Sequence, residues 1–269
     1  MRKRAITGFF FVLIMLGSVL LGHYVFGVFY LLLSSFCLWE FYRLVKKAGI
    51  SPGIITGLVI AIVTFAVIIL VETENEGSGI FLVLLPIAWS SVFIQELFKK
   101  TAVPFTNIAY TYLGVIFAVI PFIFFHSLAY GRGLFNFHIP LAFLLMLWAN
   151  DTGAYLVGSR FGKTKLFERH SPKKTLEGFV GGVIITGVVA YIISIYFTDV
   201  NLQQWICVGV LISVFGTAGD LVESMFKRSI NVKDSGDILP GHGGLLDRFD
   251  GFLMAAPIVY AYLYFITNA

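Results

Sequence analysis

"GIITGLVIAIVTFAVIILV", residues 53–71, runs for nineteen residues without a charge. The hydrocarbon core of a bilayer is about 30 Å thick, and a helix of about 20 apolar residues crosses it. A helix also satisfies its own backbone donors and acceptors, which lipid cannot do. The stretch is too long for a buried strand and does not alternate, so it predicts a membrane-spanning helix. Eight more apolar runs surround it, at about 5–22, 24–39, 79–98, 107–128, 140–158, 177–197, 204–226 and 251–267.

Composition agrees. The chain is 58% hydrophobic and 13% charged, against roughly 45–50% and 25% in soluble domains. One soluble core cannot absorb that excess. The expected fold is all-α, a polytopic bundle of about nine transmembrane helices in a single membrane domain. Residues 1–130 would supply N-terminal helices, and 140–269 the helices carrying the polar motifs. The first run follows "MRKR", as a signal peptide's does. No small-residue cleavage site follows cleanly and a second run begins at once, so it reads as a retained first span. Cys37 and Cys207 both lie in apolar runs, which indicates neither a disulfide framework nor a thiolate metal site.

The basic residues set the orientation. With the N-terminus in the cytoplasm and the spans alternating, one side collects Arg2, Lys3, Arg4, Arg43, Lys46, Lys47, Lys99, Lys100, Arg160, Lys163, Lys165, Arg169, Lys173, Lys174, Lys227, Arg228, Lys233 and Arg248. Only Arg132 falls outside. The outer loops are short or acidic, and two inner loops, 159–176 and 227–250, are long. Any active site is expected to use those loops and the adjoining helix ends, facing the cytoplasm. His23, His126 and His138 fall on the outer side and read as interfacial.

Two carboxylates sit where they are expensive. Asp151 lies inside the sixth run and Asp220 near the end of the eighth. A charge in hydrocarbon costs several kcal/mol unless paired, coordinated or hydrated. Asp220, Glu223, Ser224 and Lys227 share one helix face by their spacing. Asp247 and Asp250 are three apart, and if "LLDRFDG" opens the last helix they point to one side. Glycines 241, 243 and 244 precede them. Such glycines let backbone amides turn toward an anion. Mg2+ commonly binds one or two carboxylates plus substrate phosphates, and Lys173 and Lys174 in "SPKKTLEG" add positive charge. Acids, amides and lysines at one membrane face point to phosphoryl-type chemistry on a lipid. An anionic-lipid patch explains the lysines but not the acids.

Several near-matches carry nothing. "GSRFGKT", 158–164, is one residue short of a P-loop and follows a membrane helix rather than a strand. "GISPG", 49–53, fits a nucleophile-elbow pattern but lies in a short interhelical loop.

The longest polar block, "SMFKRSINVKDSGDILPGHGGLLDRFDG" at 224–251, closely resembles the signature of phosphatidate cytidylyltransferases, also called CDP-diacylglycerol synthases. Ser224, Lys227, Arg228, Lys233, Asp234, Pro240, His242, Gly243, Gly244, Asp247, Arg248 and Asp250 occupy its fixed positions. "NDTGAY", "GKTKL", "SPKKTLEG" and "GDLVES" resemble the family's other polar blocks in the expected order. The resemblance covers the C-terminal half; the N-terminal half is similar in hydropathy only.

The resemblance implies transfer of CMP from CTP to phosphatidic acid, giving CDP-diacylglycerol and pyrophosphate. It further implies Mg2+, a second monovalent cation such as K+, a homodimer in the cytoplasmic membrane, and no nucleic-acid partner. Asp220 and Asp247 are the leading metal candidates, with Asp250 and Glu223 next. Lys173, Lys174, Lys227 and Arg248 would hold phosphates, and Gly243 and Gly244 would offer amides. Ser224, Arg228, Lys233 and Lys163 join the substrate-binding set. His242 either contacts phosphate or orders the loop, and Asp151 either joins the metal or orients a lysine. Two rivals remain: a CTP-dependent polyprenol kinase, which would release CDP, and an ion-coupled transporter using Asp151 and Asp220.

Overall fold

Helices make up nearly all of the computed structural model, which describes residues 2–73, 77–131, 133–169, 171–232, 235–236 and 243–268. The described residues form ten α-helices: α1 (Arg2–Leu20), α2 (His23–Lys47), α3 (Ile54–Thr73), α4 (Leu84–Phe98), α5 (Pro104–Ala118), α6 (Ile120–Ser127), α7 (His138–Phe161), α8 (Leu176–Tyr196), α9 (Leu202–Ser229) and α10 (Asp250–Asn268). A two-stranded hairpin, β1 (Lys165–Phe167) and β2 (Ser171–Thr175), joins α7 to α8. The all-α membrane fold is as expected. Eight helical stretches are long and apolar enough to span a membrane, α5 and α6 counting together as one. The remaining run, the first, gives a shorter helical stretch, Thr7–Leu20.

Large apolar side chains point outward along these helices, among them Ile55 at 75% and Phe105 at 76% exposure. Water would penalise such a surface, while lipid is its natural solvent. Local breaks follow proline. The fifth apolar run splits at Val119, two residues before Pro121, whose ring and missing N–H interrupt a helix. Pro104 sits at the start of α5, where its lost donor costs nothing.

The chain divides into two compact units. The first comprises Met1–Phe135 and Ile230–Arg248. Its centre is α2, which packs against α1, α3, α5 and α6. Phe26, Tyr30, Leu33, Cys37, Phe41 and Leu44 recur every three or four residues and are all buried, the pattern of an inward helix face. Tyr42 donates its hydroxyl to the Thr111 carbonyl at 2.7 Å. Gly57 and Gly114 make room for its ring, since a Cβ at either would overlap it.

In the same unit, Glu96 accepts from Asn107 Nδ2 at 2.7 Å and Thr101 Oγ1 at 2.8 Å, and pairs with Lys99 at 3.1 Å. Asn107 Oδ1 in turn accepts from the Ser51 amide at 3.0 Å, which ties the turn before α3 to α5. His126 corrects the interfacial reading. It is fully buried, stacked on Phe26, and bonded through Nδ1 to Glu72 Oε2 at 2.7 Å.

The second unit comprises Asn136–Ser229 and Phe249–Ala269. Its helices meet through glycine. A Cβ on Gly178 would lie 2.8 Å from the Ala154 carbonyl, and one on Gly153 would lie 2.9 Å from Ile185. The backbones of α7 and α8 therefore approach directly, as small residues permit in lipid. Gly216 and Gly219 do the same for α9 against Gly251 and the Asp250 carbonyl of α10. At the other end, Asp199 Oδ2 bonds His138 Nδ1 at 2.6 Å, so His138 is paired and half-buried.

Candidate active site

The crossing of α9 and α10 determines the local chemistry of the second unit. Gly216 and Gly219 bring the two backbones together one residue before Asp220, at the point where Asp250 begins α10. The carboxyls of Asp220 and Asp250 thus come within hydrogen-bonding reach, with the charge of Glu223 close by. Asp250 Oδ1 also accepts its neighbour's amide, Gly251 N–H, at 2.8 Å, at the positive end of α10.

Two lysines answer these acids. Lys174 Nζ, from β2, pairs with Asp220 Oδ2. Lys227 Nζ lies 2.5 Å from Glu223 Oε2, one helical turn along α9, and that carboxylate is buried. The helical spacing expected for Asp220, Glu223 and Lys227 is present, and the structure adds Lys174 and Asp250 to them. Among the described residues no group of three or more His, Cys, Asp or Glu side chains could hold a metal ion. What the described residues offer is the Asp220–Asp250 carboxylate pair, with Lys174 on Asp220 and Glu223 bound to Lys227 beside it. A pair suits Mg2+, which keeps waters and takes its remaining oxygens from phosphates.

The hairpin that carries Lys174 has its own fastening. Glu177, in the first turn of α8, accepts the amides of Lys163 and Thr164 at 3.0 Å each. Thr175 caps α8 by accepting Gly178 N–H at 3.2 Å. A Cβ on Gly162 would overlap Gly158 and Thr175, so the "GKT" turn lies flat against the helix start. Lys163 and Lys173 are exposed on this hairpin, as Asp151 is on α7 and Arg228 is at the end of α9; Ser224 is half-buried.

In the first unit the signature loop follows a different logic. Asp247 does not share a helix face with Asp250, contrary to the sequence expectation. Leu246–Arg248 form a separate 3-10 turn, and α10 starts only at Asp250. The Asp247 carboxylate is turned back on its own loop, where Oδ2 accepts the amides of Ser235 and Gly244 at 3.0 Å each. Gly244 N–H, expected to be offered to a phosphate, is thereby bonded to Asp247. Gly243 adopts φ +85° with Asp247 Oδ2 2.7 Å from where a Cβ would stand, so both conformation and space demand glycine. Arg248 is exposed. Lys233, Asp234, Pro240 and His242 lie outside the described residues.

Sequence reasoning missed Glu40. It lies one residue beyond the second apolar run, where a carboxylate ordinarily reaches water. The helix continues to Lys47, and Glu40 falls on its buried stripe, 2% exposed. Its Oε2 accepts the Leu246 amide at 2.7 Å across 206 residues of sequence. The available signal was spacing, since residues 33, 37, 40 and 44 form one face.

Comparison with known proteins bears on the whole chain. Residues 2–266 match the model of the cytidylyltransferase family. A phosphatidate cytidylyltransferase of Staphylococcus haemolyticus (strain JCSC1435) is 37% identical over 265 residues, covering 96% of this chain and 97% of that one. Proteins of the same name from Staphylococcus aureus (strain COL) and Staphylococcus saprophyticus are 36% and 35% identical over the same span. The likeness thus extends through the N-terminal helices, where hydropathy alone was legible.

Proposed function

Since the chain belongs to the cytidylyltransferase family, we propose that it transfers the CMP unit of CTP to phosphatidic acid, forming CDP-diacylglycerol and releasing pyrophosphate. It is a membrane-embedded nucleotidyltransferase. The observation that carries the chemical assignment is the Asp220–Asp250 carboxylate pair, with Lys174 on one member and Lys227 beside it.

A phosphatidate oxygen attacks the α-phosphorus of CTP, one P–O bond forms, and the bond to the β-phosphate oxygen breaks as pyrophosphate leaves. A phosphate monoester is largely ionised near neutral pH, so no general base is required. Both reactants are anions, so charge neutralisation and positioning supply most of the rate. In this reading Asp220 and Asp250 would hold Mg2+, which would neutralise phosphate charge. Glu223 keeps the Lys227 ammonium in place. Lys174 stands ready to exchange its carboxylate partner for a phosphate, and Lys173 adds positive charge.

We place the reaction on the cytoplasmic face of the cytoplasmic membrane, because eighteen of nineteen basic residues fall on one side of the alternating spans. A homodimer belongs to the same reading; light scattering of the detergent-purified protein tests it. The second, monovalent cation is tested by replacing K+ with a bulky organic cation in the assay.

The deciding experiment supplies purified protein with phosphatidic acid and CTP labelled in the α-phosphate, with and without Mg2+. Label in the chloroform phase as CDP-diacylglycerol, lost in Asp220→Asn and Asp250→Asn, is the expected result. Label remaining as soluble CDP would instead identify a CTP-dependent lipid kinase. Near-normal product from both variants would remove the carboxylate pair from the metal role.

A further inference from the structure

Glu40 is a buried carboxylate that the reaction above leaves unused. Glu40 sits on the inward stripe of α2 between Leu33, Cys37 and Leu44. No cation of its own helix serves it: Arg43, three residues on, lies over the Trp39 ring at 4.6 Å from the centroid. A carboxylate in such surroundings costs several kcal/mol unless it is well hydrogen-bonded. Its partners all come from the signature loop.

Leu246 donates its amide to Oε2 at 2.7 Å, and the Ser235 side chain sits beside the carboxylate. Oε1 faces bare backbone, because a Cβ on Gly236 or on Gly244 would collide with it. Asp247 grips the same two segments from the other side through the amides of Ser235 and Gly244. Two acids, one on a helix and one on the loop, thereby fix residues 235–236 and 244–247 against α2. Three of the loop's glycines, 236, 243 and 244, lie where one or other carboxylate would strike a side chain.

We propose that Glu40 is a positioning residue for cytidylyl transfer: its carboxylate, anchored in α2, fixes residues 235–236 and 244–247 of the signature loop and hence the direction in which Arg248 is presented. The role rests on the cytidylyltransferase reading. It explains why a helix in the N-terminal half keeps an acid at a core position, where leucine would fill the same space. Leucine would leave the Leu246 amide without an acceptor.

The test uses the full chain in mixed micelles with phosphatidic acid. Glu40→Leu removes the acceptor; Glu40→Gln keeps one oxygen for the Leu246 amide. Glu40→Leu should accelerate hydrogen exchange in a peptide spanning 243–248 and leave α8 unchanged. Turnover per folded molecule should fall about 10- to 100-fold, as when supporting partners of catalytic groups are removed. Glu40→Gln should recover most of both. A merely structural residue would lower thermal stability and leave turnover of the folded fraction, and the loop's exchange, unchanged; that result overturns the proposal, as does equal loss in both variants. Should Glu40→Leu fail to accumulate, Gly244→Ala disturbs the same contact from the loop side, and undiminished turnover in it is equally fatal. Exchange is read without substrate, so a wild type that makes no CDP-diacylglycerol sinks the functional reading while the loop-anchoring result stands or falls separately.

Discussion

Lys174 of the α7–α8 hairpin extends its ammonium to Asp220 of α9. Residues 46 apart in sequence thus form one charged pair in a chain that is otherwise mostly hydrocarbon. The pair is partly exposed, 29% for the lysine and 23% for the aspartate. A half-exposed ion pair adds little to stability, and its position is better explained by what each partner does when substrate arrives. The aspartate stands next to Asp250, and the half-exposed lysine can be reached by a phosphate that would take the place of its carboxylate partner.

Lys174→Met should therefore cost activity far more than stability. Loss of one preorganised charge on a transferring phosphoryl group typically lowers turnover by about 100- to 1,000-fold. Lys174→Arg should retain part of the rate, since the charge stays but its geometry changes. Labelled CTP incorporation, read beside a detergent melting curve, checks both. Combined with Asp220→Asn, the loss should fall well short of the product of the single effects, because the two groups interact directly.

Asp247 makes a different prediction. Its carboxylate accepts two loop amides, and removing an acceptor from a partly buried donor costs about 1–3 kcal/mol. Asp247→Ala should speed exchange at Ser235 and Gly244 and lower turnover. Asp247→Asn should be milder, since one oxygen remains while the other position becomes a donor. Unchanged exchange at Gly244 in Asp247→Ala would show that the loop is fixed by other means.

The spans and most of the second unit's cluster were legible in advance for physical reasons. A bilayer imposes its length on each apolar run, and a helix imposes its period on Asp220, Glu223 and Lys227. What sequence could not convey were contacts made by tertiary crossing. Asp250 joins Asp220 because Gly216 and Gly219 allow α10 to touch α9, and nothing in the local pattern announces which helix a glycine will meet. Asp247 read as a helix-start residue because a spacing of three fits a helix; the 3-10 turn at Leu246–Arg248 broke that register. Glu40 was hidden by the assumption that an acid at the end of an apolar run faces water.

Glu177 links the "GKT" turn to α8 by accepting two consecutive amides, those of Lys163 and Thr164. Its first-turn position favours a negative charge there. Glu177→Gln removes the charge and one acceptor, so one of the two amides loses its bond. The hairpin should loosen without unfolding the helices. Faster proteolysis between residues 162 and 170, with the melting temperature nearly unchanged, is the expected outcome. The KM for CTP should rise several-fold if the turn holds its phosphates.

The glycines of α8 provide a stability test with an internal control. A Cβ at Gly178 would stand 2.8 Å from the Ala154 carbonyl and 3.1 Å from the Gly158 Cα. Both are backbone atoms, so relief requires α7 and α8 to separate. Gly187, nine residues along the same helix, has nothing within 4 Å of the equivalent point. Overpacking a close contact costs about 1–3 kcal/mol, whereas replacing an unhindered mid-helix glycine by alanine gains up to about 1 kcal/mol in water-exposed helices. Gly178→Ala should therefore lower the melting temperature in detergent and reduce activity, because Thr175 and Lys174 start from the displaced helix end. Gly187→Ala should leave activity intact and the melting temperature equal or higher. Equal behaviour of the two variants would mean that α7 and α8 do not depend on backbone contact at Gly178.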